Sequence, residues 1–380
     1  LALVGGFCWG ILRILPNKTI FGEISKGQVA VLEDSIQNSD KTWQEIRLDQ
    51  PEEGSYTKIE FRFYYNRLNE KEKDLYQSLL KNVLIISQEQ DQEGRYFVRE
   101  TCLSQELKRE EVQHAVEALL YDNPQFFWLA NTYAHTSGGG STIVQLYSNI
   151  SAELCSSMSA ELNESVAKML NDFPKEASEL DREIFLFKKI TEQCRYDYTA
   201  GQNGETWKAY TAYGALVEGK AVCDGYARAM QLLCQYADLN CLLVDGMADG
   251  AYHRWNLILI DGDWYHLDIT WCDADTMLQY NYFNLTDDII QKDHQITSEG
   301  LPECNATTNN YFQAKGIQVS GFSEEQLQEL SQRLTECAKN GEQFPALLIA
   351  ENLDYRETVD LLFRKSPYYF VECLGRIQEE

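Results

Sequence analysis

Hydrophobic residues recur at helical spacing through much of the first half of this chain. Leucines trace one face of 66–82, where Asn69 stands in the position of an N-cap. Similar periods are found in 108–120, 152–173 and 175–194. These patterns predict four amphipathic helices, each of which buries one face against a core.

A further apolar stripe begins at Val222 and predicts a buried helix with Cys223 in its first turn. Strand patterns follow at 241–246, 253–260 and 263–271. Near the end of the chain, a helix is predicted at 323–339 and strands at 346–350 and 368–374. Helices therefore precede the central strands, and a smaller mixed unit follows them, which is typical of an α+β protein.

The first residues are apolar, and two interpretations of them remain open. Leu1 to Leu15 contains a single charge, at Arg13, and Pro16 ends the run. Fifteen residues are fewer than the ~20 that cross a membrane. The segment is either the end of a truncated signal anchor or a buried first element of the fold. An anchor would tether the protein outside the cell, whereas a buried segment would favour a cytoplasmic location.

The charge of the chain limits its partners. With 33 basic and 59 acidic residues, the formal net charge is −26. Such a chain repels phosphate backbones and anionic lipid headgroups, so nucleic-acid binding is not expected. Cationic or neutral peptides are the more compatible substrates.

Eleven cysteines are present, and one of them stands where chemistry is favoured. Cys223 lies at the predicted start of a helix, where the positive end of the helix dipole favours the nucleophilic thiolate. A nucleophile of this kind also requires a base and a group that orients the base. No pair of cysteines has zinc-ribbon spacing, and no fourth ligand accompanies this region, so neither a metal nor another cofactor is expected.

The predicted hairpin selects the base. If Asp261-Gly262 is a two-residue type I′ turn, Ile260 pairs with Asp263 and paired positions sum to 523. His253 and Asp268 then become diagonal neighbours on one sheet face, within reach of a hydrogen bond. His266 shares that face, but it pairs with Leu257 beside Trp264, which favours a packed structural histidine.

Other residues near this pair are candidates for binding. The Cys223 backbone N–H is one candidate oxyanion donor, and Tyr213 or Trp207 is a candidate for the second. The polar segment with Gln202 and Asn203, together with Tyr252 and Trp255, is predicted to line an open cleft for an extended peptide. The stretch 247–252 is predicted to be a loop beside it.

Three segments carry a family resemblance: GKAVCDGYARAMQLLC, YHRWNLILIDGDWYHLDITW and YFNLTDD. They resemble the bacterial transglutaminase-like domain of the papain-like superfamily, over residues of about 180 to 300. In that family, the Cys before x-G-Y-A, the His of H-x-W-N and the Asp of W-Y-x-x-D-x-T-W form a catalytic triad. The resemblance therefore implies that Cys223, His253 and Asp268 are the catalytic residues.

The resemblance also implies the organisation of the chain. We expect an α+β fold with a papain-like, transglutaminase-like core, a helix-rich N-terminal extension and a small α/β C-terminal unit. The predicted boundaries are 1–16 for the apolar segment, 17–174 for the extension, 175–303 for the core and 304–380 for the last unit.

The implied activity is acyl transfer on a peptide or protein substrate. Cys223 would attack a carboxamide and form a thioester, which water or an amine then resolves. Hydrolysis is the favoured outcome because water is the default nucleophile. The alternative is a binding or scaffold module that keeps the fold without the activity.

Overall fold

The computed structural model describes residues 41–46, 61–200, 206–274, 277–319, 321–339 and 347–349. The apolar segment at 1–16, the cleft candidates Gln202 and Asn203, and the predicted strand at 368–374 lie outside these residues. Within the described ranges, no helix combines the length and the apolar character that a membrane span requires.

The first part of the chain forms an antiparallel sheet in which β1, β2, β3 and β6 lie in that order. Both β4 and β5 also pair with β6. The strands are β1 (Trp43–Glu45), β2 (Ile85–Gln90), β3 (Tyr96–Val98), β4 (Thr101–Leu103), β5 (Leu129–Gly138) and β6 (Ser141–Ser148).

Five helices accompany or follow this sheet: α1 (Phe63–Arg67), α2 (Glu70–Asn82), α3 (Arg109–Asp122), α4 (Ala152–Met169) and α5 (Glu179–Gln193). The predicted cap is confirmed, because Asn69 accepts hydrogen bonds from the backbone of Lys71 and Glu72, and Glu72 returns one. The alternating pattern of residues 56–65 predicts a strand, and this prediction is wrong at its end, where α1 forms and Asp122 accepts the backbone N–H groups of Tyr64 and Tyr65.

The second sheet contains the predicted hairpin. It is antiparallel, in the order β11 (Asp263–Leu267), β10 (Ala251–Ile260), β9 (Asn240–Ala248) and β14 (His294–Ile296). The predicted register is confirmed, since Ile260 pairs with Asp263 and Leu257 with His266. Asp261 and Gly262 both have positive φ, as a type I′ turn requires.

Two details of this sheet differ from the prediction. The stretch 247–252 is not a loop, because β9 and β10 continue to a second tight turn at Asp249-Gly250, where both φ angles are positive. The strand predicted at 263–271 ends at Leu267, and a short helix, α7 (Ile269–Cys272), replaces its last part. The change occurs because Asp268 caps that helix.

Helix α6 (Cys223–Tyr236) is the centre of the molecule, and each residue from Cys223 to Cys234 is buried. Before it come a short parallel pair, β7 (Arg195–Tyr196) and β8 (Lys220–Ala221), a 3₁₀ turn at Thr206–Tyr210 and a π-helical turn at Gly214–Glu218. The sequence predicts a single short helix over these two turns. The remaining elements are β12 (Asp273–Ala274), β13 (Met277–Leu278), α8 (Asp287–Ile290), α9 (Tyr311–Lys315), β15 (Ile317–Val319), α10 (Glu324–Lys339) and β16 (Leu347–Ile349).

Side chains of α6 cap the end of α3. Arg228, Gln231 and Gln235 donate to the carbonyl oxygens of residues 120, 121 and 122, at 2.8, 2.7 and 3.1 Å. The last carbonyls of a helix have no partner within the helix, so these bonds satisfy groups that would otherwise be buried without one. The extension is therefore bonded to the same helix that carries Cys223.

We predict that Gly225→Ala destabilises the protein by about 1–3 kcal/mol. A Cβ at this position would lie 2.5 Å from the Ala209 carbonyl oxygen and 2.7 Å from the Ala221 Cβ, so backbone would have to move. Urea unfolding measures the effect. Gly138→Ala is the control, because a Cβ there meets nothing within 4 Å. Equal unfolding free energies for the two variants would contradict the close packing of α6.

Candidate functional site

Cys223 is the first residue of α6 and is held there by contacts on either side. Val222 is extended, and its N–H donates to the Ala209 carbonyl at 3.0 Å. The carboxylate of Asp224 accepts from Arg228 at 2.8 Å and from Arg254 at 2.6 Å. The Cys223 thiol thus stands at a fixed helix N-terminus, and the neighbouring negative charge is compensated by two guanidinium groups.

Arg254 ties the start of α6 to the second sheet. Its side chain is fully buried and pairs with Asp245 as well as Asp224, both at 2.6 Å. Tyr121 of α3 lies beneath the guanidinium, 4.8 Å from ring centroid to carbon, and also donates to Asp245. A buried charge requires this degree of pairing to offset its desolvation.

His253 precedes Arg254 on β10, so the two side chains project from opposite faces of the sheet. Its Nε2 donates to Asp268 Oδ2 at 2.7 Å, and its ring is within hydrogen-bonding reach of the Cys223 sulfur. Burial alone would lower the pKa of His253, but the Asp268 carboxylate and Cys223 together raise it to about 10. The ring is therefore an imidazolium at neutral pH, which suits a thiolate–imidazolium pair.

Asp268 sits where β11 ends and α7 begins. Its Oδ1 accepts the Trp271 N–H at 3.2 Å, and its Oδ2 accepts from His253 and from His294. Although burial raises the pKa of a carboxyl group, the two imidazoles hold that of Asp268 well below its usual range. Asp268 remains ionised and orients the His253 ring.

His294 lies in a polar stretch, where the sequence predicts a structural or exposed histidine and gives it no role in the site. The residue is buried on β14, opposite Ala248 of β9. Its Nε2 contacts Asp268 Oδ2 at 3.1 Å and its Nδ1 contacts Asp293 Oδ1 at 2.6 Å. The sequence offers only a weak signal for this contact, the pair Asp293-His294. His294 lies 26 residues beyond Asp268, and only the pairing of β14 with β9 brings the two residues together.

His266 is the packed histidine that the hairpin predicts. Trp255 donates its indole N–H to Nδ1 of His266 at 2.9 Å, so Nε2 carries the proton that is donated to Asp287 at 2.8 Å. Burial lowers the pKa of His266 despite the Asp287 carboxylate, and the ring is neutral. His266 therefore holds Trp255 through this hydrogen bond and is not the histidine that faces Cys223.

The predicted binding residues occupy different positions from those expected. Trp255 is 1% exposed and lies 5.9 Å from His253, ring to ring and nearly parallel, so it supports the base and does not line a cleft. Tyr252 projects from the opposite sheet face to His253, and its hydroxyl donates to Asp245 at 2.7 Å. Tyr213 and Trp207 are the two candidates for the second oxyanion donor. The Tyr213 hydroxyl already donates to Glu161, so Trp207 is the better candidate.

Two groups of side chains have metal-ligand chemistry: His253, Asp268 and His294, and separately His266, Asp287 and Cys304. Two ligands on one tetrahedral Zn²⁺ at 2.0–2.1 Å would lie about 3.3 Å apart. The N–O separations of 2.7 and 2.8 Å are instead those of hydrogen bonds. In the second group, the Trp255 N–H already occupies one nitrogen of His266. These residues therefore fit hydrogen-bonded pairs better than a metal.

The reacting pair is more enclosed than the predicted open cleft. Cys223 is 9% exposed and His253 is 6% exposed. A cavity of about 240 Å³ lies between the extension and α6, and neither Cys223 nor His253 is among its lining residues. Its walls are mainly apolar and include Phe126, Phe127, Trp207, Tyr210 and Arg228.

The cavity borders the segments next to the start of α6. Tyr210, in its wall, follows Ala209, whose carbonyl accepts the N–H of Val222 at 3.0 Å. Arg228 follows Cys223 by five residues on α6, a rise of about 7.5 Å. The cavity therefore lies against the helix that carries the thiol.

Comparison with known proteins identifies similarity over the part of the chain that contains this site. Residues 168–269, which include Cys223, His253 and Asp268, match the family model of the transglutaminase-like superfamily. Over 117 residues the chain is 29% identical to the kyphoscoliosis peptidase of Mus musculus and 28% identical to that of Homo sapiens. Each match covers 27% of this chain and 18% of the relative, so the chain spans less than a fifth of those proteins.

Among solved structures, the crystal structure of a TGase is 15% identical, with 59% of each chain covered and a TM-score of 0.28. The fold is the mixed α+β arrangement expected from the sequence, with α6 packed against an antiparallel sheet. Residues 168–269 of this chain are therefore similar to a domain of the transglutaminase-like superfamily.

Proposed function

We propose that this protein is a cysteine-nucleophile acyl-transfer enzyme that hydrolyses peptide or amide bonds. The observation that carries the proposal is the chain of contacts from the Cys223 thiol to His253 and on to Asp268 at 2.7 Å. The helix N-terminus favours the thiolate, and the raised pKa of His253 keeps the partner charged.

Acylation begins with the Cys223 thiolate. The sulfur attacks the substrate carbonyl carbon, and the S–C bond forms as the carbonyl oxygen gains negative charge. The His253 imidazolium then donates its Nδ1 proton to the leaving nitrogen as the C–N bond breaks. The products are a thioester on Cys223, a free amine and a neutral His253.

Deacylation uses the same groups in reverse. Neutral His253 takes a proton from water, whose oxygen attacks the thioester carbon, and the C–S bond breaks. The acid product leaves, and the thiolate and imidazolium are restored. Asp268 stays ionised throughout and holds the His253 ring in place.

The developing oxyanion requires hydrogen-bond donors. The Cys223 N–H is at the first position of α6, where backbone donors have no partner within the helix. Trp207, in the cavity wall, is the second predicted donor.

The cavity supports a substrate with an apolar side chain near the attacked carbonyl. Aromatic rings from the extension and from the 3₁₀ turn form its walls, and they would bury a large aliphatic or aromatic group. The positively charged residues Arg95 and Arg228 also line it, which disfavours lysine or arginine at that position. Cationic groups of the substrate would instead face the acidic surface.

A non-catalytic scaffold is the second candidate, and the limited exposure of Cys223 and His253 favours it. A scaffold would not require a charged His253 beside a thiol at a helix start. Reactivity of the thiol separates the two functions.

We predict that a peptidyl fluoromethyl ketone alkylates Cys223, as detected by peptide mass spectrometry. Cys223→Ala is expected to abolish this labelling and to lower peptide hydrolysis by at least about 10³-fold, because the nucleophile is lost. Cys102→Ser, which removes an exposed free thiol, is the control and should leave both unchanged. Labelling of Cys102 and not of Cys223 would favour the scaffold function.

We predict that the His253 ring titrates near pH 10, as measured by NMR of its imidazole C–H groups. Because the folded-state pKa is raised above 6.5, its contribution to stability is complete below about pH 6.5 and is lost as the pH rises toward 10. Asp268→Asn removes the attracting charge and should lower the titration midpoint. A wild-type midpoint near 6.5 would contradict the ion pair.

We predict that Ala130→Trp slows labelling by a phenylalanine-containing peptidyl fluoromethyl ketone by about tenfold, because the new ring fills the cavity that Ala130 lines. Labelling by iodoacetamide, which is too small to need the cavity, should not change. Ala314→Trp, at an exposed position on α9, is the control. Equal slowing of both reagents would indicate a distorted site instead of a filled cavity.

A further inference from the structure

Asp268 accepts hydrogen bonds from two histidines, although one is sufficient for a triad. His253 Nε2 and His294 Nε2 both reach Oδ2, at 2.7 and 3.1 Å, and the two rings meet edge to face with centroids 5.5 Å apart. His294 continues to Asp293 through its Nδ1 at 2.6 Å. The contacts therefore form one line, Cys223–His253–Asp268–His294–Asp293.

The two carboxylates that contact His294 determine its protonation state. An ionised carboxylate only accepts hydrogen bonds, and Asp268 and Asp293 face the two nitrogens of one ring. Both nitrogens must therefore carry protons, so His294 is an imidazolium. The pKa of His294 is raised accordingly: burial and His253 lower it, and the two carboxylates outweigh them.

The position of His294 is also restrained by its surroundings. Trp255, Trp271 and Tyr282 surround the ring, with ring centroids 5.1, 4.6 and 5.6 Å from that of His294. Tyr282 donates to the far oxygen of Asp293 at 2.6 Å. His266, another titratable group nearby, is neutral and bonded to Asp287. The ring can therefore hold Asp268 in one orientation.

We propose that His294 is a positioning residue for the reaction of Cys223. Its Nε2–H fixes the Asp268 carboxylate, and the fixed carboxylate aims the His253 ring at the thiol. The inference rests on the proposed function, because it assigns His294 a role in that reaction. The residue is not itself catalytic, since it acts through Asp268 and His253.

Two substitutions separate this role from a structural one. In His294→Gln, the amide nitrogen can take the place of Nε2 and donate to Asp268. In His294→Asn, the shorter amide can take the place of Nδ1 and donate only to Asp293. We expect the Gln variant to keep the rate constant for inactivation by the peptidyl fluoromethyl ketone within about threefold of wild type. We expect the Asn variant to lose about 10- to 100-fold, with the half-saturating concentration unchanged.

His114→Gln is the matched control, because that histidine is largely exposed and bonded to Glu72 on α2. It should behave as wild type. Two results would overturn the proposal: equal rates for the Asn and Gln variants and wild type, or a greater loss in the Gln variant than in the Asn variant. The second result would mean that the bond to Asp293 matters and the bond to Asp268 does not.

A spectroscopic measurement tests the proposal even if no reagent labels Cys223, which would be a failure of the proposed function alone. In wild type at neutral pH, ¹⁵N NMR should show both ring nitrogens of His294 protonated, and a ring without a proton on Nε2 would overturn the proposal. The low-field N–H signal of His253 bonded to Asp268 should persist in His294→Gln and shift in His294→Asn. An unchanged signal in both variants would also overturn it.

Discussion

The buried guanidinium of Arg254 is the interaction on which the site depends. It bonds to the residue that follows Cys223, to Asp245 on the neighbouring strand, and lies over Tyr121 of the extension. Removing one partner would leave an uncompensated charge in the interior, at a cost of about 3–5 kcal/mol. Because the three partners come from α6, β9 and α3, this one charge sets the distance between the nucleophile's helix and the strand that carries His253.

Three histidines on one sheet face have different protonation states because their partners differ. His253 and His294 donate to carboxylates and are charged, whereas His266 accepts from the Trp255 indole and is neutral. Burial disfavours the charged form of each ring, so the neighbouring donors and acceptors decide the outcome. The neutral histidine supports the tryptophan on which His253 packs, and thus helps to hold the base without competing for the thiol.

The extension contributes to the site as well as to stability. Its aromatic residues Phe126 and Phe127 form one wall of the cavity, and the end of α3 is capped by side chains of α6. The transglutaminase-like match begins only at residue 168. The substrate preference that we propose therefore depends on residues outside the matched domain.

Much of the site could be predicted from sequence because its determinants are local. A helix that starts at Cys223 follows from the apolar stripe, and the Asp261-Gly262 turn sets the register that aligns His253 with Asp268. The sequence did not reveal that Asp268 would end β11 and cap α7, since either a strand or a cap is compatible with an aspartate there.

Tertiary structure alone decided the partners that are distant in sequence. His294 meets Asp268 only because β14 pairs with β9, and the hydrophobic pattern around residue 294 contains no sign of that pairing. Tyr252 and Trp255 were expected in a cleft, but strand alternation and burial place one on the opposite face and the other beneath the base. Local periodicity determines which face a side chain occupies relative to its neighbours, whereas packing between elements determines what covers that face.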